Sequence, residues 1–508
     1  MAAAFSTLLR PVAIQSPQKD SDLTRSIRGA VYFSVAGNFG GLLINLALIV
    51  TASHLLTPAQ VGAFVVAMAF ITLIEIFRDL GTSVYVIQTK NLDRSVLGSL
   101  FGVSLSISIP IGILTIISAP LFSKMMGNSS LSFMVMVMSI SYFIAPITVP
   151  VIATFQRDLR FQETLVMRLG GASARASVSI YLIFAGYGPI SLAWGIVASK
   201  AMECLLLLVI DSPYKFVKPN IRDWKLILRF GIVTTTSTSI GNIGAAAADM
   251  VTGRLLGLAA AGIYNRGNSL VTMYRTGIEA AISPVAYSTF AREARKDDGD
   301  MRHVFLTSVT HLSGFGWPAF AVLPVLAEPA IRIMFGPQWL ESVPVARVLA
   351  FAGAIHLVAV LAPVFLIASG KAGLLIKREL LIQVPRLGLI IAAAHFSVVA
   401  VAWAIVLTYL LTVVVTQRVL NEVAGITYIH LWKATWTSVP LALSTALPCW
   451  GLATLAADFG GGPAMDLAAG ILGAAIGWSA GLFAFNHPNK AEVTIVTNKI
   501  VQKLAGAL

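Results

Sequence analysis

Apolar runs of about twenty residues, long enough to cross the hydrocarbon of a bilayer, follow one another along nearly all of this 508-residue chain. This pattern restricts the fold more than any motif. Inside lipid every backbone N–H and C=O must be satisfied by the protein itself, so a crossing segment is a helix or a strand of a closed barrel. A barrel would show short alternating segments, and the chain has none. It reads as an all-α polytopic membrane protein with about 14 transmembrane helices, at 29–52, 61–77, 96–120, 131–153, 164–184, 189–210, 229–250, 259–288, 303–327, 345–369, 379–396, 398–417, 434–456 and 464–485. Only 12% of residues are charged, about half the share in a soluble domain. The opening "MAAAFSTLLRPVAIQSPQKDSDLTRS" lacks a basic n-region and reads as a tail, not a cleaved signal.

The net charge of +13 raises nucleic acid as a partner, but the placement of the charges argues against it. Lys and Arg concentrate in every second connection, as at Arg157 and Arg160, at Lys215 to Arg229 and at Arg292 to Arg302, and in both terminal segments. Because basic loops stay in the cytoplasm, both termini are expected there. Cys204 and Cys449 lie in apolar runs outside any CxxC or Cys/His cluster, so no disulfide, metal or cofactor is expected. No GxxxxGK[ST] phosphate loop is present, which removes a built-in ATPase.

One short stretch recurs. "LLTPAQVGAF" at 55–64 returns as "LLGLAAAGIY" at 255–264, matching Gly62 to Gly262 across an offset of 200. Each copy joins two spans, and six spans separate the copies, so both have the same topology. The expected domains are a tail (1–28), an N-lobe (29–228), a C-lobe (229–430) related to it by an axis along the membrane normal, and a further helix pair with a C-terminal tail (431–508).

The chain also resembles a known family. "HLLTPAQVGAFVVAMAFITLIEIFRDLGTSVYVIQ", "QRDLRF" at 156–161, "GIYNRGNSL" followed by "ISPVAYSTFAR", and "FGPQWLESVPVARVLAF" at 335–351 are similar, in that order, to the conserved blocks of Wzx-type polysaccharide transporters. These belong to the multidrug/oligosaccharidyl-lipid/polysaccharide exporter superfamily. The resemblance implies a flippase for exopolysaccharide, capsule or lipopolysaccharide assembly, working by alternating access. Implied partners are undecaprenyl-diphosphate-linked oligosaccharide, membrane lipids, a polysaccharide polymerase, and chain-length and export proteins. Where the family pattern has a second proline, this chain has Ser288, so a kink there is not assured.

Charges inside the spans are the candidate functional groups, since an Arg at mid-helix costs about 2.5–3.5 kcal/mol on insertion scales. "RLGGASARAS" puts Arg168 and Arg175 seven apart on one face with no acid in reach on their own helix. Arg175 faces either a wet interior or an acid on another helix, with Asp249 the natural partner. On the eighth span Asn268, Thr272, Arg275 and Glu279 share a face, Arg275 and Glu279 are spaced to pair, and Arg266 points the opposite way, where it could snorkel outward. Asn242 and Asp249 share a face of the seventh span with Thr235 and Thr238, matching Ser34, Asn38 and Asn45 on the first; Lys200 and Glu203 are spaced as a local pair. Arg347 and Arg386 lie close enough to helix ends to snorkel, while Arg78-Asp79 and Arg157-Asp158 end spans where a cytoplasmic gate would close. The cationic set (Arg168, Arg175, Arg266, Arg275 with Asn38, Asn242 and Asn268) suits a substrate that carries its own negative charge, such as a diphosphate held bidentately. Asp249, Glu279, Lys200 and Glu203 are the candidates for coupling or ion pairing.

Two other function classes compete. A polymerase or glycosyltransferase would need catalytic groups on a sizeable outer loop, and the outer loops are short, so the chain is not expected to be an enzyme. A small-molecule antiporter of the same superfamily would rely on buried acids, whereas basic residues dominate these spans.

Overall fold

A computed structural model describes residues 20–79, 85–86, 89, 93–158, 160–210, 217–296, 299–371, 373–491 and 493–494. All regular structure among them is helical. In chain order the helices are α1 (Asp20–Leu55), α2 (Pro58–Asp79), α3 (Arg94–Met126), α4 (Ser130–Ser139), α5 (Ser141–Arg157), α6 (Phe161–Phe184), α7 (Ile190–Val209), α8 (Trp224–Leu255) and α9 (Leu258–Glu293). There follow α10 (Met301–Met334), a 3-10 turn (Pro337–Ser342), α11 (Val343–Leu357), α12 (Ala362–Ala368), α13 (Gly373–Ala393), α14 (Val398–Ala424), α15 (Tyr428–Thr435), α16 (Ser438–Asp458) and α17 (Gly462–Ala484). The chain is a multi-pass membrane protein. Among the described residues nine stretches are long and apolar enough to cross a bilayer. Helices α6, α9 and α13 are as long but hold the charges Arg168 and Arg175, Arg266 with Arg275 and Glu279, and Lys377 to Arg386. Helix α9 runs unbroken through Ser288.

The fourth and tenth expected spans are each divided, the fourth into α4 and α5 at Ile140 and the tenth into α11 and α12. The side chains of Ser34, Asn38, Asp79, Thr235, Thr238 and Ser288 lie outside the described residues, as does the segment 1–19.

The two repeat copies make equivalent corners by different chemistry. At the first, Thr57 and Gln60 exchange hydrogen bonds, backbone to side chain in both directions (2.9 and 3.3 Å), which satisfies the free donors at the start of α2. At the second the matching positions are Gly257 and Ala260, and the turn is made by Gly257 at φ +95°, a conformation that favours glycine. The corners then meet face to face. A Cβ on Gly62 would fall 1.7 Å from the Leu258 carbonyl oxygen, and one on Gly262 would fall 2.2 Å from that of Pro58. Helices α2 and α9 therefore touch backbone to backbone, the close approach that small residues permit in membranes.

The connection between the two halves of the chain is anchored on α3. Asn220 N–H donates to the Gly98 carbonyl (2.9 Å), its side chain donates to Ser95 O (3.0 Å), and Ser99 Oγ donates to Asn220 Oδ1 (2.6 Å). At the far end of the chain α16 and α17 pack along Gly473 and Gly477, where a Cβ would sit 2.3 Å from Pro448 O and 2.1 Å from Ser444 O. The residues after α17 fold back onto α10: Asn489 donates to the His311 carbonyl (3.1 Å), and His487 hydrogen-bonds Ser438 Oγ (3.1 Å).

Candidate functional site

Between the halves lies a cavity of about 310 Å³. Helices α1 and α2 supply most of its apolar wall (Ala52, Val65, Met68), and α8 and α9 supply Asn242, Asp249, Asn265, Arg266 and Ser269. Arg175 from α6 completes it. One cation thus comes from each half of the chain.

The small-residue run around Arg175 sets its backbone. Gly195 of α7 sits where a Cβ would lie 2.0 Å from Ser179 Oγ and 2.9 Å from the Arg175 carbonyl, so α6 and α7 are in near contact at this level. Among the described residues Arg175 forms no ion pair, and its Nε is buried without a hydrogen-bond partner. Asp249 is not its partner. Among the described residues the Asp249 Oδ1 is buried without a hydrogen-bond partner, and the cation whose charge acts on it is Arg386 of α13. Gly244 makes this possible: α13 approaches so closely that a Cβ there would lie 1.8 Å from Gln383 Oε1 and 3.4 Å from Arg386 Cδ. The expected snorkelling of Arg386 gives way to this inward placement.

Arg266 does not snorkel either. It is 6% exposed, and its guanidinium carbon stands 5.2 Å from the Trp339 ring and 5.6 Å from that of Phe335. Both rings are fully buried. Among the described residues its one polar contact is a long one, 3.5 Å to Asn265 Oδ1. Ring faces stabilise a cation by about 0.5–2 kcal/mol and leave its hydrogen-bonding edge largely unused, so Arg266 keeps donors for a ligand.

Other expected members of the cationic set lie elsewhere. Arg275 pairs with Glu279 (3.7 Å) and donates to Tyr409 Oη (3.0 Å); Glu279 also faces His356 (3.5 Å). The i,i+4 acid on its own helix draws Arg275 out of the cationic set. Arg168 is exposed two turns away from Arg175, and neither it nor Asn268 lines the cavity. Lys200 Nζ sits 2.8 Å from Glu203 Oε2. At the other end of the bundle Arg78 binds Glu75 (3.3 Å) and stands over Tyr142 (5.4 Å), while Asp158 is exposed and Arg157 half-buried. Sequence reasoning passed over Asn265, Ser269 and Trp339, although Asn265 lies in the "YNR" stretch and Trp339 in "GPQW".

This helical architecture has the fold of solved transporters of the MOP superfamily. The lipid II flippase MurJ in its inward closed conformation superposes with a TM-score of 0.70 over 89% of this chain and 99% of that one, at 14% identity. An inward-facing multidrug resistance MATE family transporter gives 0.62 over 76% and 95%, also at 14% identity. The chain belongs to the polysaccharide biosynthesis protein family, whose model matches residues 53–344. Curated relatives include the teichuronic acid biosynthesis protein TuaB of Bacillus subtilis (24% identity over 65% of this chain and 68% of that one). Others are the lipopolysaccharide biosynthesis protein WzxC of Escherichia coli (21%, over 65% and 67%) and the succinoglycan biosynthesis transport protein ExoT of Rhizobium meliloti (23%, over 65% and 65%). The matched stretch spans about two thirds of each relative.

Proposed function

We propose that this protein flips a polyprenyl-diphosphate-linked oligosaccharide across a bacterial inner membrane, with Arg175 and Arg266 holding the diphosphate. The observation that carries the reading is the pair of guanidinium groups, one from each half, that line a single cavity without a carboxylate partner. A diphosphate supplies the missing anion, and the planar forks hold its oxygens bidentately. The family membership and the named roles of TuaB, WzxC and ExoT in polysaccharide biosynthesis or transport support the substrate class; the likeness to the lipid II flippase supports the fold for a lipid-linked cargo.

Counting α1, α6, α8, α9 and α13 with the nine apolar stretches gives 14 crossings, arranged as six-helix lobes 29–228 and 229–430 and a further helix pair in 431–508, with both termini cytoplasmic. In this arrangement the end closed by Gly62 and Gly262 is the outer one. At about 310 Å³ the cavity lies near the lower limit of small-molecule sites, so a head of several sugars needs the wider, inward-open form.

The test is Arg175→Ala, with Arg175→Lys beside it. Removing one partner of a desolvated charge pair costs about 2–5 kcal/mol, so Arg175→Ala is expected to lower diphosphate-lipid binding and flipping by about 30-fold or more. Arg175→Lys recovers part. Unchanged flipping by Arg175→Ala, or inhibition by Asp249→Asn alone with a cationic drug as the transported species, would replace this reading with a small-molecule antiporter.

A further inference from the structure

The outer closure contains a residue that also touches a cavity-lining cation. Trp339, in the 3-10 turn after α10, is fully buried and uses two surfaces at once. Its ring stands 5.2 Å from the Arg266 guanidinium carbon. Its Nε1–H donates to the Ser53 carbonyl, in the last turn of α1, at 2.8 Å. Two neighbours strengthen the same junction: Gln338 Nε2 donates to Ser53 O (2.5 Å), and His54 Nε2 meets the Ile333 carbonyl (3.2 Å). Neither of them touches Arg266. Trp339 alone among these three links the cavity wall to the seam between α1 and the second half of the chain.

We infer that Trp339 is a positioning residue that couples anion binding at Arg266 to opening of the outer end. The inference rests on the proposed anion-binding role of the cavity. With no anion present, the guanidinium rests on the Phe335 and Trp339 faces, and the indole N–H stays on Ser53 O. A ring quadrupole holds a cation far less strongly than a phosphate at contact distance in a low dielectric. A bound diphosphate therefore draws Arg266 toward the cavity and removes the cation that fixes the indole plane. The N–H to Ser53 bond then loses its alignment, and hydrogen bonds weaken steeply as they bend. The outer end opens when the cavity is loaded and stays shut when it is empty, which prevents empty cycling.

The test uses full-length protein in proteoliposomes with Cys204 and Cys449 replaced by Ser. A single cysteine at Val61, a fully buried cavity residue near the outer seam, reports opening to a membrane-impermeant maleimide added outside. Farnesyl diphosphate is the probe, and its binding is measured separately by equilibrium dialysis. In this parent, farnesyl diphosphate is expected to raise labelling. Trp339→Phe keeps a ring behind Arg266 but lacks the donor; losing one hydrogen bond is expected to raise labelling about fivefold without farnesyl diphosphate. The probe should add little further, and its affinity should stay within about twofold. Gln338→Leu loosens the same seam but should keep the response to the probe. Arg266→Gln removes the same cation permanently, so it should raise labelling without the probe, and the probe should add little further even at concentrations where Arg175 still gives measurable binding. A parent that binds no farnesyl diphosphate sinks the anion-cavity reading. A parent that binds and opens, with Trp339→Phe or Arg266→Gln as protected as the parent when empty and as responsive when loaded, overturns the coupling and leaves the cavity reading standing.

Discussion

Replacing Gly62 by alanine adds a single methyl group, and the structure sets what it must displace. The new Cβ would lie 1.7 Å from Leu258 O, 2.6 Å from Leu258 C and 2.9 Å from Gly262 N. An acceptable carbon–oxygen separation is about 3.3 Å or more, so α2 and α9 must part locally by about 1.5 Å. The obstacle is backbone on both sides, and no change of rotamer relieves it. Overpacking of this kind costs about 1–3 kcal/mol. That cost falls on the closed outer end alone if the outward-open form separates these helices. The balance between forms then moves by about 5- to 150-fold toward the open one. External maleimide labelling of a cavity cysteine should rise, transport should fall because the cycle cannot close, and Gly262→Ala should act in the same way. The double variant should be less than additive, since both methyl groups open one contact. Labelling and thermal stability that both stay at the parent level in Gly62→Ala would refute the reasoning, because a methyl cannot fit against that carbonyl without moving something.

Ser99→Val removes the donor to the half-buried Asn220 and Asp223 (2.6 and 3.1 Å); losing these two hydrogen bonds should cost about 1–3 kcal/mol in a denaturation experiment, with diphosphate-lipid binding unchanged. His487, beyond α17, is held neutral by burial and by the nearby charge of His311, with its pKa pushed down to about 4. Unfolded histidine binds its proton near pH 6.5, so docking of residues 485–490 should be at full strength above that pH and weaken progressively as pH falls from 6.5 to 4. Hydrogen exchange in this segment should rise over that window; flat exchange would contradict it, and Gly314→Ala, whose Cβ would meet His487 Cε1 at 2.2 Å, should release the segment at any pH. A diphosphate moved outward across a membrane that is negative inside gains about 2.3 kcal/mol per charge per 100 mV, so an imposed inside-negative potassium diffusion potential should accelerate flipping. A response to a sodium or proton gradient with none to voltage would count against uncompensated charge movement.

The sequence made some features of the fold legible through general constraints. Length and hydropathy place the helices because lipid forces backbone pairing to be local, and this holds even where α5 or α11 begins with a break. The offset of 200 paired Gly62 with Gly262 without knowledge that the two glycines touch. What linear reading cannot supply is which copy needs a special turn. Thr57 and Gln60 cap one corner with side chains, so the other corner, lacking both, depends on Gly257 at positive φ. That substitution makes physical sense only once the corners are seen to be equivalent.

The candidate site divides along the same line. Arg275 could be separated from Arg175 in the sequence itself, since an acid four residues on is an intrahelical partner, and the structure places that pair within 3.7 Å. Arg266 could not. Its surroundings, Phe335 and Trp339, come from some seventy residues further along the chain, and a helical wheel of α9 shows an arginine with an outward route but not the rings that close it. Asp249 shows the opposite error: it was the nearest acid to expect for Arg175, yet Gly244 admits α13 and brings Arg386 to it instead. Pairing inside one helix is decided by spacing, and pairing between helices is decided by which helices small residues allow to approach. In this protein glycine at 62, 195, 244 and 262 fixes those approaches, and so helps to determine which of the buried cations have a carboxylate near them and which do not.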